Sequence, residues 1–286
     1  MSIRDMGNAT GGARFGALLL PARPWAEMAR LAREIEAAGF DALWVDDHLV
    51  HPARPEGRWL ECWATLAALA GATERITIGP LVSNIVLRPP ALLARQAITV
   101  AELSGGRLDL GIGSGYAESD HQGVGVEVWT GPERLRRFAA AVAQVKEIFG
   151  AALPAEDGGH LAKIPVTVAA HGRGALRVAA EQADTWVSFG GFELAPDANF
   201  SLTRERCELL DELAARPIRR RLLCGSAALT QEPIWRSVVA FEDFVGRYRS
   251  IGIDEFAFHW PPQETNPAVD PDVVDEIVGR LPALRR

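Results

Sequence analysis

Ile76-Thr77-Ile78-Gly79-Pro80-Leu81-Val82 is followed by Pro90 through Leu103, then Gly105-Gly106, then Arg107-Leu108-Asp109-Leu110-Gly111-Ile112. The reading of this stretch decides the fold. Its first run is short and rich in β-branched residues, as a strand is. The segment from Pro90 starts with proline in a first-turn position, and the glycine pair stops it as a helix. The second apolar run is another strand. Strand, helix and strand in this order are the unit of a parallel sheet covered by helices.

Worked outward, the unit repeats in both directions. Upstream, Arg14–Leu20 reads as the first strand and Pro24–Ala38 as its helix, with Met28, Leu31 and Ile35 on one face and Gly39 as the stop. Ala42–Val45 is the second strand and Glu61–Ala72 the second helix. Downstream, Pro132–Phe149 is the fourth helix. Strands follow at Val166–Ala169, Thr185–Val187, Leu222–Cys224 and Glu255–Phe258, and helices at Gly174–Ala183, Leu202–Ala215, Val238–Ile251 and Pro271–Leu281. Asp270 is placed to cap the last helix. Eight strand–helix units close a barrel, whereas a doubly wound sheet usually stops earlier, so the expected fold is α/β, a (β/α)8 TIM barrel. The length of 286 residues suits one such barrel. Residues 1–12 read as a flexible lead-in, 13–286 as a single barrel domain, and Gly150–Lys163 as an extra loop or short hairpin.

Composition narrows the function classes. At 48% hydrophobic residues the chain can bury a sizeable core, and a formal charge of −7 with no basic stripe argues against a nucleic-acid partner. The densest basic run, Arg219-Arg220-Arg221, reads as a charged lead-in to a strand. Cys62, Cys207 and Cys224 are scattered, which suits a reducing cytoplasm and gives neither a disulfide framework nor a zinc motif. No apolar run approaches the roughly 20 residues of a membrane helix, and the first residues lack a signal-peptide core. A cytoplasmic protein with no membrane partner is expected.

Barrel active sites lie at the carboxyl ends of the strands, so function is sought in the loops that follow them. After the second strand comes Asp46-Asp47-His48-Leu49-Val50-His51. A capping aspartate and a solvated loop account for this run without chemistry. The functional reading has His48 facing the mouth with Asp47 beside it, since a nearby carboxylate orients an imidazole and raises its pKa. His51 makes a metal conceivable, but no further ligand set is visible, so no metal is expected. After the third strand, Gly79-Pro80 demands a bulge or a break before Leu81-Val82-Ser83-Asn84. After the fourth, Gly111-Ile112-Gly113-Ser114-Gly115-Tyr116 is either an ordinary turn or a backbone that a ligand approaches closely. After the fifth, Ala169-Ala170-His171-Gly172-Arg173-Gly174 opens a helix. Free amides there, with Arg173 adjacent, form a natural phosphate cradle, and a plain glycine turn is the alternative.

Together, Asp47-His48-Leu49, Arg75 to Pro80, Arg88-Pro89-Pro90 with Ala94-Arg95-Gln96, Leu103 to Gly115 and His171-Gly172-Arg173-Gly174 resemble the luciferase-like flavin-dependent superfamily. The resemblance is to its branch using coenzyme F420, a deazaflavin. It covers most of the chain and rests on the order and spacing of the set. It implies hydride transfer between F420 and an unidentified small organic substrate, with His48 as proton donor and Asp47 as its partner, in a homodimer. It also implies a non-proline cis peptide at Leu81–Val82 as a bulge behind the ring. His48 and Asn84 would lie beside the ring, with Ser114, Gly172, Arg173 and Gly174 near the phosphate arm and His171 in the same loop. An FMN-dependent monooxygenase is the alternative, and a non-catalytic flavin-binding barrel a third reading. Sugar-phosphate dehydrogenases of this superfamily carry an acidic residue where Tyr116 stands, which argues against a sugar substrate. The segment after the fourth helix is short, so a reduced substrate lid is expected.

Overall fold

Nine strands follow one another around a ring: β1 (Arg14–Leu19), β2 (Ala42–Val45), β3 (Thr77–Pro80), β4 (Ser83–Asn84), β5 (Leu110–Gly113), β6 (Val166–Ala169), β7 (Thr185–Ser188), β8 (Arg219–Cys224) and β9 (Glu255–Trp260). They belong to a computed structural model that describes residues 12–52, 54–152, 163–224, 232–264 and 266–285. The order in the sheet is β3-β2-β1-β9-β8-β7-β6-β5-β4, and all its ladders are parallel. Its two ends, β3 and β4, are consecutive in the chain and separated only by Leu81 and Val82, whose peptide bond is cis, as expected. An isolated parallel bridge from Ile78 to Leu108 joins β3 to the approach to β5. β3 and β4 are therefore one stave broken in the middle, and the eight-stave barrel closes.

The helices α1 (Trp25–Ala37), α2 (Cys62–Ala72), α3 (Pro90–Leu103), α4 (Glu118–Gly123), α5 (Gly131–Ala152), α6 (Arg173–Gln182), α7 (Pro196–Leu213), α8 (Val238–Arg249) and α9 (Pro271–Leu284) accompany the staves. Strand residues alternate between two sides. Outward ones such as Phe15, Leu43, Ile112, Val168 and Phe256 share one buried apolar layer with Met28, Leu66, Val142 and Leu176 of the helices. Inward ones, Leu18, Trp44, Leu81, Val187 and Ala257, form a second, smaller cluster inside the barrel. Among the described residues no helix is long and apolar enough to cross a membrane.

Several boundaries differ from the sequence reading, each for a local reason. The fourth stave begins at Leu110, because the Arg107 side chain turns aside to cap the end of α2 through Ala70 O (2.8 Å) and Thr73 O (3.0 Å). Helix α7 begins at Pro196, since proline fits the first helical turn, and α4 is a short helix with no sequence signal. The expected lead-in lies outside the described residues except for Gly12, as does most of the expected loop at 150–163.

The arginine run is a clear correction. Arg219 to Arg221 do not lead into β8; they are its first three residues. Arg220 turns outward to Asp211, while Arg221 is fully buried inside the barrel. Its Nη2 donates to Asp109 Oδ2 (2.7 Å), its Nε to Glu255 Oε2 (2.8 Å) and its Nη1 to Thr167 Oγ1 (3.1 Å). Its guanidinium also lies 4.1 Å from the centre of the Trp44 ring. Burial opposes both charges, yet Asp109 and Glu255 raise the Arg221 pKa, and Arg221 with Arg14 and Arg219 holds Glu255 below the ordinary carboxylate range. This charged plug closes the amino-terminal end of the barrel, beneath the inner apolar cluster.

Arg221→Met should therefore cost about 3–5 kcal/mol in urea-unfolding stability, because buried Asp109 loses its cation and Glu255 its one buried partner, keeping only the partly exposed Arg14 and Arg219. The depressed pKa of Glu255 means that its contribution is present above the ordinary glutamate range and lost as pH falls through the depressed value. The gap between wild type and variant should accordingly narrow in acid. A gap below about 1 kcal/mol at neutral pH, the worth of a surface pair, contradicts the plug.

Candidate functional site

The carboxyl end of β2 carries three acidic or titratable residues with three different fates. Asp47 is buried and receives four donors: Ser83 Oγ (2.9 Å), the Asn84 amide (2.9 Å), Arg88 Nη2 (3.0 Å) and Arg88 Nη1. Its carboxylate is consumed by that cluster. The expectation that Asp47 orients His48 is thereby corrected, because Asp47 turns to Arg88 and the broken third stave instead.

The carboxylate on His48 is Asp120, from α4. Asp120 is fully buried, and its Oδ2 lies 2.6 Å from His48 Nδ1 and accepts from Asn84 Nδ2 (2.8 Å). Its Oδ1 accepts from the Leu49 amide (3.0 Å). Trp59 Nε1 donates to the His48 carbonyl (2.8 Å), so backbone and ring are both fixed. On the other side of the ring, His48 Nε2 stands 3.8 Å from Asp46 Oδ1. Burial works against a charged imidazole, but the Asp120 hydrogen bond and the Asp46, Asp120 and Asp47 charges outweigh it and raise the His48 pKa. Burial likewise raises Asp120, and His48, the Leu49 amide and Asn84 more than reverse that. Asp46, with no such set of donors, is raised by burial. The arrangement is an imidazole of raised pKa clamped at Nδ1, with Nε2 turned to the Asp46 side.

The expected cofactor residues fall around the same mouth. Leu81 belongs to the inner apolar cluster, and Val82, Ala169 and Leu223 pack against it, giving an apolar floor. Asn84 holds Asp120 rather than standing free. Ser114 is half-buried at the end of β5. The glycines before it do not leave room for a ligand: a Cβ at Gly113 would lie 2.5 Å from Val82 Cγ2, and one at Gly111 would lie 2.3 Å from the Pro80 carbonyl oxygen. Their space is taken by the broken stave, which corrects that part of the sequence reading.

Gly172 is the N-cap of α6 and offers no side chain, so the first-turn amides of Arg173, Gly174 and Ala175 have no capping acceptor. Gly172, Arg173 and Gly174 are exposed. His171 packs edge-on to Phe189, with ring centres 4.3 Å apart, and its Nε2 is buried without a partner. Burial, aided by the Arg206 charge, pushes the His171 ring down to about 4, so it is uncharged. Arg206, on α7, went unrecognised in the sequence. Its Nη1 donates to the Gly190 carbonyl and to Ser188 Oγ (3.3 Å), and no carboxylate pairs with it among the described residues. A partly buried guanidinium without a counter-charge is a seat for an anion.

An aromatic arc rims the opening. Tyr116 meets His48 edge-on (6.0 Å), Phe192 lies 6.4 Å from Tyr116 and 4.7 Å from Phe189. Tyr116 and Phe192 are 61% and 54% exposed, two large rings on the open side of the site. His51 sits apart, edge-on to Trp59 (5.3 Å). Asp120 and Arg206 lie far from His48 and His171 in sequence and in segments without a motif, so no local pattern could have singled them out.

A sequence profile of the family described as luciferase-like monooxygenase matches residues 6–223. An F420-dependent glucose-6-phosphate dehydrogenase of Beutenbergia cavernae is 30% identical over 169 residues, 54% of this chain and 50% of its own. A 5,10-methylenetetrahydromethanopterin reductase of Archaeoglobus fulgidus is 31% identical over 184 residues, 60% of this chain and 51% of its own. This chain thus spans about half the length of the curated relatives it matches. Among solved structures, an F420-dependent secondary alcohol dehydrogenase superposes with a TM-score of 0.74 at 16% identity, covering 96% of this chain and 100% of its own. An EDTA monooxygenase from Chelativorans sp. BNC1 gives 0.67 at 13% identity, covering 96% and 93%. Likeness at such identities is of fold alone. With the profile matched across most of its length and the barrel that carries it, this chain belongs to the luciferase-like monooxygenase family.

Proposed function

We propose that this chain is an oxidoreductase that moves a hydride between coenzyme F420 and a small organic substrate. The observation that carries the reading is the His48–Asp120 pair, an imidazole clamped by a carboxylate at the mouth of an apolar-floored barrel. The choice of F420 over FMN draws support from the F420-dependent relative at 30% identity.

The residues present fit such a cofactor. The floor of Leu81, Val82, Ala169 and Leu223 suits one face of a flat ring, and the unpartnered His171 Nε2 awaits a hydrogen bond beside it. The uncapped start of α6 and the unpaired Arg206 guanidinium would hold the phosphate. When bound, F420 supplies the hydride chemistry. The protein supplies the rest: Asp120 orients His48 and favours its protonated form, His48 Nε2 gives or takes the proton at the substrate, and the aromatic rim excludes water.

Titration of cofactor-free protein, followed by fluorescence quenching, should show F420 binding more tightly than FMN. Binding of FMN below micromolar with none of F420 would reverse the assignment to an FMN-dependent monooxygenase. Tight binding with no turnover across enones, imines and alcohols would mark a non-catalytic binder.

Arg206→Ala should weaken cofactor binding by about 1.5–3 kcal/mol, the worth of a hydrogen bond to a charged group, and Arg173→Ala by about 1–2 kcal/mol. Equal affinity in both variants and the wild type places the phosphate elsewhere.

His48→Ala should lower turnover by roughly 10²–10⁴-fold and cofactor affinity far less. Because the His48 pKa is raised, its donor form is complete below the ordinary histidine range and is lost as pH rises through the raised value. Reduction of substrate should fall along that limb. Asp120→Asn should move the limb to lower pH, and an unmoved limb would mean that another group titrates.

A further inference from the structure

We infer that Asp46 is the second station of the transferred proton: its carboxylate exchanges that proton with His48 Nε2 at the mouth. The inference rests on the hydride-transfer reading and deepens it, because it names the group that renews His48 between turnovers.

The alternation of β2 puts Asp46 in place. Leu43 and Val45 belong to the outer apolar layer, whereas Ala42 and Trp44 belong to the inner cluster. Asp46 is the next inward position, one layer above Trp44 and therefore over the floor. Asp47, on the outward side, goes to the wall and Arg88, and His48 comes back to the mouth. His48 Nδ1 is committed to Asp120, while its Nε2 stands 3.8 Å from Asp46 Oδ1. A small rotation of either side chain, or one bridging water, closes that gap to a hydrogen bond.

Asp46 is held loosely enough to act. Its Oδ1 accepts from the neighbouring Asp47 amide (3.0 Å), and its Oδ2 accepts nothing among the described residues. Neither that oxygen nor His48 Nε2 is sealed from solvent, and the Asp46 side chain is 22% exposed. Asp46 can therefore trade a proton with water. Asp120, fully buried under His48, Asn84 and the Leu49 amide, has no such route.

The other titratable groups that face Asp46 are occupied. Asp47 is engaged by Arg88, Ser83 and the Asn84 amide. Burial raises Asp120, but His48, the Leu49 amide and Asn84 more than reverse this and hold it below the ordinary carboxylate range. Burial and the Asp46 and Asp120 charges raise the Tyr116 hydroxyl, which keeps its proton. Burial pushes the Cys62 thiol well up, and it keeps its proton too. Asp46 and His48 remain as the pair that titrates. Burial raises the Asp46 carboxyl against the pull of His48, which makes it a better proton partner for an imidazole than an ordinary carboxylate.

The steps balance. A substrate that loses a hydride from carbon, with its bond pair, to F420 also loses one proton. That proton goes to the Nε2 lone pair and makes the imidazole cationic. The Nε2–H bond then breaks in favour of Asp46 Oδ1, leaving a neutral ring and a neutral carboxyl. Asp46 releases the proton to water. Reduction runs the same steps backward.

The test has two arms. The first titrates the cofactor-free chain, carrying 15N in its histidine rings and 13C in its aspartate carboxyls. Signals of the pair are identified as those missing from His48→Gln and from Asp46→Asn. Two groups so close share their titration, so the Asp46 carboxyl should move in two steps, one coinciding with His48 Nε2. In His48→Gln it should move in one step, and Asp46→Asn should shift the His48 titration to lower pH. A single step in the wild type, with His48 unmoved in Asp46→Asn, overturns the inference. The second arm uses F420-loaded protein and an alcohol, enone or imine that it turns over. Asp46→Asn should lower turnover roughly 10²-fold, the low end for proton transfer, with cofactor affinity within about twofold. Added formate or imidazole should restore about tenfold of that loss, because a small proton carrier replaces the missing carboxyl. Asp46→Ser stands in should the Asn variant not fold. Unchanged turnover, or a loss that neither carrier restores, overturns the inference as well. If the wild type binds neither F420 nor FMN, the hydride-transfer reading falls instead, and the first arm decides on the pair alone.

Discussion

The buried pair of Asp47 and Arg88 is the constraint on which the barrel mouth depends. Asp47 lies two residues past β2, while Arg88 lies past β4 at the foot of α3, and the same carboxylate also takes Ser83 Oγ and the Asn84 amide. One side chain thus fastens the second stave to the broken third. A charge so deeply buried is tolerable only when its partners stay in place, so the cluster over-determines the backbone on both sides. Neighbouring residues in an extended segment point in opposite directions. With Asp47 turned into the wall, Asp46 and His48 are turned to the mouth.

The mouth then holds two imidazoles that their surroundings push in opposite directions. Asp120 and Asp46 raise the His48 pKa against burial, while burial and the Arg206 charge push His171 down to about 4. Charge and hydrogen bonding are thereby divided among identical side chains by their surroundings. Charge of the opposite arrangement occupies the far end. There Arg221 is enclosed by Asp109 and Glu255, and an apolar layer of Leu18, Trp44, Leu81 and Val187 separates that plug from the site. The plug serves stability and the mouth serves chemistry, as in barrels generally.

Membership of the family and the identity of the reaction are separate matters, because one fold hosts many chemistries. Solved neighbours of this barrel include both an F420-dependent alcohol dehydrogenase and an EDTA monooxygenase. The difference between such enzymes lies in what lines the mouth. In this chain the lining is an apolar floor, an aromatic rim and two imidazoles pushed in opposite directions by their surroundings.

The number and order of the staves were legible in the sequence, because strand and helix periods and the Gly and Pro stops are local properties of the chain. Gly79-Pro80 marked the break in the third stave for the same reason. His48 was legible as a mouth residue once the barrel was recognised, since it directly follows a strand. The partner of His48 was not legible: Asp120 comes from a short helix without a motif, and Asp47, adjacent in sequence, was drawn off by Arg88. Arg219 to Arg221 looked like a charged lead-in to a strand; the register of β8 with β9 sets Glu255 beside Arg221, and the fold of the barrel brings Asp109 to it from 112 residues away. Periodicity is written residue by residue, but the pairing of charges is settled by which staves end up facing one another.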